Sequence, residues 1–311
     1  MLGEFEFIQN IKKKYSLEKI GDDCAVLPKN DKTDQVITAD LLVEDIEFHL
    51  EWTTPEFLGH KALAVSLSDI AAMGAEPKWA MLSLGVPENL WNSDFVDRFY
   101  EGWFALAKEF KVELVGGDVS RTSDKVVIDS IVGGEVAKGR AILRSGAEIG
   151  DAIYVTGELG AAAAGLSQLE NGAANRSDFI AKQLKPQPQL ATAKLLHTLG
   201  VIHSMIDISD GLSSDLTHIC DASSVGAKIC ANELPISPAI LKQFGAEQGN
   251  DFALNGGEDF ELLFTADEKK FLLPHAVKIS RIGEITSDTG KIEIIRDGKT
   301  EILQPKGYRH F

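Results

Sequence analysis

Apolar positions along the first half of the chain predict strands alternating with two long helices. Residues 4–15 repeat their apolar positions at helical spacing and read as a short amphipathic helix. GDDCAVLP (21–28) is a Gly-Asp-Asp turn entering a short strand, and QVITADLLVEDIEF (35–48) opens as a buried strand and turns acidic. HKALAVSLSDIAAMG (60–74) is a helix with well-marked ends. Thr54 suits the N-cap, Pro55 the first helical position, Glu56 the positive end and Gly74 the left-handed residue beyond the last turn. KWAMLSLGVP (78–87) is a strand stopped by Gly and Pro, and SDFVDRFYEGWFALAKEF (93–110) has helical period. VELVGGDVSRT (112–122) reads as strand then loop, and KVVIDSIVGGEV (125–136) as strand, which makes this half α/β or α+β.

The texture changes around 137–150, where the chain is rich in Gly and Arg, as at a domain junction. Beyond it, DAIYVTGELGAAAAGL (151–166) is strand, turn and helix. A Pro-bounded loop (185–190) precedes a helix at 191–199, and IDISDGLSSDLTHICDAS (206–223) is strand, acidic turn and helix. LNGGEDFELLFT (254–265) is a Gly-rich turn entering a strand, and KIEIIRDGKTEIL (291–303) is a hairpin around Asp297-Gly298. At 311 residues the chain exceeds the usual single domain, so two are expected, 1–137 and 138–311.

The composition, 44% hydrophobic and 25% charged, is that of a soluble globular protein. A net charge of −16 argues against nucleic acid and anionic membrane as partners. Plain solubility accounts for such acidity, but a phosphorylated substrate would be repelled unless metal ions intervened. No apolar run approaches the length of a membrane span, and the acidic amino terminus does not read as a signal peptide. Cys24, Cys220 and Cys230 form no CxxC pair, which suggests reduced thiols and a cytoplasmic location.

Asp69 is the oddity of the 60–74 helix, since helical spacing puts it on a stripe with Ala62, Val65, Ala72 and Met73. Burying even a neutral polar group without a partner costs roughly 2–7 kcal/mol, so an ionised carboxylate there needs a cation or donors. It is either a buried cap of a neighbouring loop or a metal ligand. Asp22, Asp23, Asp40, Asp118, Asp207, Asp210, Glu258 and Asp259 stand at turns beside Gly or Ser, or at the ends of buried strands. Any one of them is ordinary turn chemistry. If they converge, their repulsion calls for hard divalent cations such as Mg2+, which take carboxylate and phosphate oxygens. The seven histidines are scattered and no His/Cys cluster has zinc spacing. Gly298-Lys299-Thr300 has Glu293 where a P-loop needs Gly, and GELGAAAAGL (157–166) lacks a full GxGxxG and reads as tight packing.

Taken together and in order, GDDCAVL, TADLLVEDIEF, HKALAVSLSDIAAMGAEP, VGGDVSRT, ISDGLSSDL, GGEDFELLF and KGYRHF resemble the thiamine-monophosphate kinase family over nearly the whole chain. The resemblance implies the PurM-like architecture: an amino-terminal α/β domain with a mixed sheet and helices on one face, an α+β carboxy-terminal domain, and a homodimer formed through the amino-terminal sheets. It further implies ATP- and Mg2+-dependent phosphorylation of thiamine monophosphate to thiamine diphosphate by direct in-line transfer. On the matching positions, Asp23, Thr38, Asp40, Asp69, Asp118, Asp207 and Asp210 hold Mg2+, with Asp40 and Asp69 as the central bridging ligands. Tyr100, Gly117, Asp118, Arg144 and Ser209 contact ATP, Arg144 steadying the transferring group, while Glu47, Glu258 and Tyr308 face the thiamine moiety. Two positions depart from the family: Ala39 replaces the usual Thr, and Glu47 stands where His is common. The competing readings are a related aminoimidazole ribonucleotide or selenophosphate synthetase, and a non-catalytic nucleotide-binding homologue.

Overall fold

The computed structural model describes residues 3–173, 177–272, 274, 277–308 and 310; His275 and the Arg309 and Phe311 of KGYRHF lie outside them. The chain builds two sheets around one helix. The first sheet takes β1 (Ala25–Pro28), β2 (Thr33–Val43), β3 (Glu76–Pro87), β4 (Glu113–Thr122) and β5 (Val127–Ala137) in the order β1-β2-β5-β3-β4. Its pairs are antiparallel except β3 with β4, which are parallel and joined through α3 (Glu88–Trp91) and α4 (Phe95–Phe110). The sheet is thus mixed.

Helix α2 (Pro55–Ala72) covers one face of this sheet. It starts as its sequence demands, the Thr54 hydroxyl accepting from the Phe57 N–H, and is followed by Gly74 at φ +64. Helix α4 lies on α2 at backbone contact. A Cβ on Gly59 would sit 1.9 Å from the Phe99 carbonyl oxygen, and one on Gly102 would sit 1.8 Å from that of Glu56. No residue with a side chain fits at either position.

The second sheet takes β6 (Ala152–Thr156), β7 (Ile202–Asp207), β8 (Gly226–Cys230), β9 (Leu262–Ala266), β10 (Ile279–Thr286), β11 (Ile292–Arg296) and β12 (Lys299–Ile302), in the order β12-β11-β8-β10-β6-β9-β7. Around it lie α5 (Ala161–Glu170), α6 (Asp178–Leu184), α7 (Leu190–Leu199), α8 (Leu212–Ser223) and α9 (Pro238–Asn255), and α1 (Glu4–Tyr15) opens the chain. The β11–β12 turn places Asp297 and Gly298 at φ 47 and 75, the paired left-handed residues of a tight hairpin.

Helix α2 is buried almost all round because it also packs against α7 and β7. One apolar cluster therefore runs from Val36, Leu63 and Leu67 to Ala193, Met205 and Phe264. The far face of the first sheet stays open. Leu41 is 60% and Met81 40% exposed there, in rows completed by Ala39 and Ile131. Five elements were not anticipated from the chain: α3, α6, β8, α9 and β10. VGGDVSRT, expected as a loop after a strand, continues β4 to Thr122 as an exposed edge strand.

Candidate active site

Acids from both halves meet at the C-terminal half of α2. Alternation along β2 aims Thr38 and Asp40 at the helix, and Asp69 answers from the helix side. The Thr38 hydroxyl donates to Asp69 Oδ2. The Ser66 hydroxyl donates to Asp40 Oδ2 at 2.6 Å, and the Ser68 hydroxyl to Asp207 Oδ2 at 2.5 Å. Asp207 closes β7, and Asp23 precedes β1. Carboxylate oxygens of Asp23, Asp69 and Asp207 lie within 4.8 Å of one another.

Among the described residues, Arg144 brings positive charge to Asp23 and Asp207. Arg144 donates to Asp23 Oδ1 from Nε at 3.0 Å and from Nη2 at 2.5 Å, and its backbone N–H reaches both oxygens of Asp22 at 3.2 Å. Asp23 Oδ2 is buried with no hydrogen-bond partner. Burial first, then the neighbouring acids, pushes the carboxyls up. Asp207 rises to about 8, against the pull of Ser68 and Arg144, and Asp22 to about 7. Burial lifts Asp40 to about 6 despite Ser66, and holds Asp23 up despite Arg144. Asp69 is lifted well above the carboxylate range by burial and then by Asp40, Asp207 and Asp23. The neighbouring Cys24 thiol rises for the same reasons. An unpartnered buried oxygen within a group short of positive charge fits a hard divalent cation with oxygen ligands.

Other predicted residues stand around this group. Asp210 is half-buried, and its oxygens group with Asp215 and His218 instead. In that second group Asp215 accepts from the Gly211 N–H at 3.0 Å where α8 begins. Ser209 accepts, through its carbonyl, from the Glu258 N–H at 2.8 Å. Asp118 is exposed on β4 and shares a row, through Ser83 and Asp129, with Leu41 on the sheet face turned from α2; it is outside the buried cluster. Gly117 is required by packing, since a Cβ there would lie 1.9 Å from the Leu82 carbonyl oxygen. Tyr100 lies on α4 with its ring between those of Phe99 and Phe104, at 5.7 and 5.9 Å.

A second group of predicted residues lies toward the N-terminal half of α2. Glu258 is gripped by Lys61 and by the Gln183 side-chain amide. Glu47 accepts from the Val43 N–H at 2.7 Å and faces His310 Nδ1 at 3.5 Å. The Tyr308 N–H donates to the Asp210 carbonyl at 3.0 Å, and its ring meets that of His310 edge-on. Burial first, then the charges of Glu47, Glu258, Asp210 and Glu4, push the Tyr308 hydroxyl up. GELGAAAAGL is not a phosphate cradle. The N-terminus of α5 is filled by the Asp259 carboxylate, which accepts from the Gly160 and Ala162 N–H groups at 2.6 and 3.1 Å.

The AIR synthase related protein N-terminal domain matches residues 21–138, and the C-terminal domain of the same group matches 148–295. The thiamine-monophosphate kinase of Bacillus subtilis is 37% identical over 305 residues, covering 94% of this chain and 93% of its own. That of Escherichia coli K12 is 41% identical over 303 residues, covering 94% and 91%. This chain belongs to the thiamine-monophosphate kinase family. A solved structure, AaThiL complexed with AMPPCP and TMP, superposes with a TM-score of 0.90 at 34% identity, covering 100% of this chain and 97% of that one. Against the family pattern, both departures now have a place. Ala39 lies on the open face of β2, so the missing hydroxyl is not withdrawn from the buried cluster. Glu47 brings an acid, partnered by a histidine from the tail, close to Tyr308.

Sequence reasoning missed Lys61, Ser66, Ser68 and Gln183, the residues that hold the acids in place. The signal for three of them was in the helix itself: polar side chains inside an otherwise apolar, buried stretch.

Proposed function

We propose that this chain transfers the γ-phosphoryl group of ATP to the phosphate of thiamine monophosphate, giving thiamine diphosphate and ADP, with Mg2+ held by Asp23, Thr38, Asp40, Asp69, Asp207 and Asp210. The observation that carries the reading is the buried trio Asp23, Asp69 and Asp207, with the unpartnered Asp23 Oδ2 and with Arg144 against Asp23, in a chain of this family.

The acceptor is a phosphate monoester, whose second pKa near 6 leaves it mostly dianionic at neutral pH. Its nucleophilic oxygen is already unprotonated, so no general base is needed. The obstacle is charge: two unit charges about 4 Å apart at an effective dielectric of about 20 repel by about 4 kcal/mol. Mg2+, when bound, neutralises and aligns the phosphates for in-line displacement. The chain supplies the frame. Thr38, Ser66 and Ser68 fix the carboxylates by hydrogen bonds, and Arg144 holds Asp23 while adding positive charge beside the transferring group. Tyr308 suits the thiazolium cation through its ring face, with Glu47 and Glu258 as carboxylate neighbours. Tyr100, Gly117, Asp118 and Ser209 are proposed nucleotide contacts on family likeness.

We further take 1–137 and 138–311 as the two units, closing on each other at α2. The open sheet face with Leu41, Met81, Ala39 and Ile131 is proposed as the homodimer contact, because an exposed apolar sheet face calls for a partner. No described helix is long and apolar enough to cross a membrane, and a cytoplasmic site of action is proposed.

The test is ADP release together with thiamine diphosphate formation, from ATP and thiamine monophosphate, with and without Mg2+. Formation of both only when all three are present is expected. ADP release with another acceptor alone would assign the chain to a sister synthetase, and ligand binding without ADP would make it a non-catalytic homologue.

A further inference from the structure

Lys61 is a buried cation that lies outside the metal-facing cluster. Its side chain is 4% exposed, and its Nζ lies 2.7 Å from Glu258 Oε1 and 2.8 Å from Oε2. The same ammonium reaches the Glu47 carbonyl at 3.4 Å and the Gln183 carbonyl at 3.5 Å, while the Gln183 side-chain amide donates to Glu258. Four segments therefore converge on one charge: α2, the turn after β2, the end of α6 and the loop before β9. Glu258 is the member that needs holding. Its backbone sits at φ 66, a conformation disfavoured for a residue with a side chain, and its side chain is 26% exposed. Released, that carboxylate has water to turn into.

Along α2, Lys61 and Ser68 are seven residues apart, two helical turns, so they share one stripe about 10 Å apart. Ser68 holds Asp207 at the cluster, and Lys61 holds Glu258 on the acceptor side. One rigid rod thus spaces the acceptor-side carboxylate from the phosphate-side carboxylates.

We propose that Lys61 is the positioning residue for the phosphate acceptor: it fixes the Glu258 carboxylate at a set distance from the Asp23, Asp69 and Asp207 cluster, and acts on acceptor binding only through Glu258. The proposal rests on the reading of the chain as a thiamine-monophosphate kinase. A glutamate freed into solvent keeps its charge, but screening weakens its attraction for a cationic ring, whereas the oriented contact is lost outright.

The test is a double-mutant cycle with steady-state constants for both substrates. Lys61→Met is expected to raise KM for thiamine monophosphate about tenfold while KM for ATP stays within about twofold. Because Lys61 acts through Glu258, K61M/E258Q is expected to match Glu258→Gln alone within about twofold. The proposal is overturned if KM for thiamine monophosphate is unmoved in K61M, if both KM values climb together, or if the two effects multiply in the double variant. Should K61M not fold, K61M/E258Q, which leaves no charge unpaired, still overturns the proposal if its KM for thiamine monophosphate differs from that of E258Q by more than about twofold. A wild-type chain that forms no thiamine diphosphate would fail the functional reading itself, a separate outcome from any of these.

Discussion

Asp207→Asn isolates the cost of gathering the carboxylates. The Asp207 carboxyl is lifted from 3.8 to about 8, first by burial and then by Asp23. A folded-state value above the unfolded one means that the metal-free fold keeps a proton which the unfolded chain releases. That stabilisation is complete below about pH 4 and drains away as the pH climbs to about 8. At about 1.4 kcal/mol for each tenfold in proton binding, the whole window is worth up to about 6 kcal/mol. Coulomb repulsion gives a compatible scale: oxygens within 4.8 Å repel by about 3.5 kcal/mol per charged pair at an effective dielectric of about 20. Asparagine is uncharged, has the same shape and still accepts the hydrogen bond that Ser68 makes at 2.5 Å. In EDTA, the variant should therefore be more stable than the wild type by about 1–2 kcal/mol near pH 5, growing to several kcal/mol near pH 8. Urea melts at the two pH values measure this directly. Added MgCl2 should then raise the wild type more than the variant. Equal stability at both pH values, or equal stabilisation of the two proteins by Mg2+, would refute the reasoning.

Three further outcomes are expected. Asp69→Asn should lower turnover about a hundredfold or more with an unchanged circular dichroism spectrum, and near-normal activity would remove Asp69 from the mechanism. Tyr308→Ala should raise KM for thiamine monophosphate about three- to tenfold and leave KM for ATP in place, as expected for loss of a cation–π contact. Leu41→Glu puts a charge on the open sheet face and should give a monomer by light scattering; an unaltered dimer would move the interface elsewhere.

The acids of the site were legible because each sits in a local pattern that needs no partner to be seen. Gly-Asp-Asp, Ser-Asp-Gly and Gly-Gly-Glu-Asp mark turns, and Asp69 breaks an apolar stripe. Their supports were not legible, because those contacts cross the chain. Ser68 meets Asp207 139 residues away, and Lys61 meets Glu258 197 residues away. The same limit explains the fold. Helix α2 and the Asp297-Gly298 hairpin are written in capping and turn chemistry, and both formed as expected. Strand β8 is five residues held between β10 and β11 by partners distant in sequence. Helix α9 is broken by Gly245 at φ 82 and buries little of itself, so its period is faint. The later part of strand β4 reads as a loop because Gly116 and Gly117 weaken the strand pattern, yet its ladder with β3 carries it to Thr122.

The two-sided helix α2 also limits how this chain can change in length. Ser66 and Asp69 reach the first sheet while Lys61 and Ser68 reach the second half. One extra residue after Lys61 would turn everything beyond it by about 100° and advance it by about 1.5 Å. Both attachments would then miss together, with no neighbouring position able to restore either. A single-codon insertion or deletion in α2 should therefore be purged, while hairpin tips such as Asp297-Gly298 absorb such events.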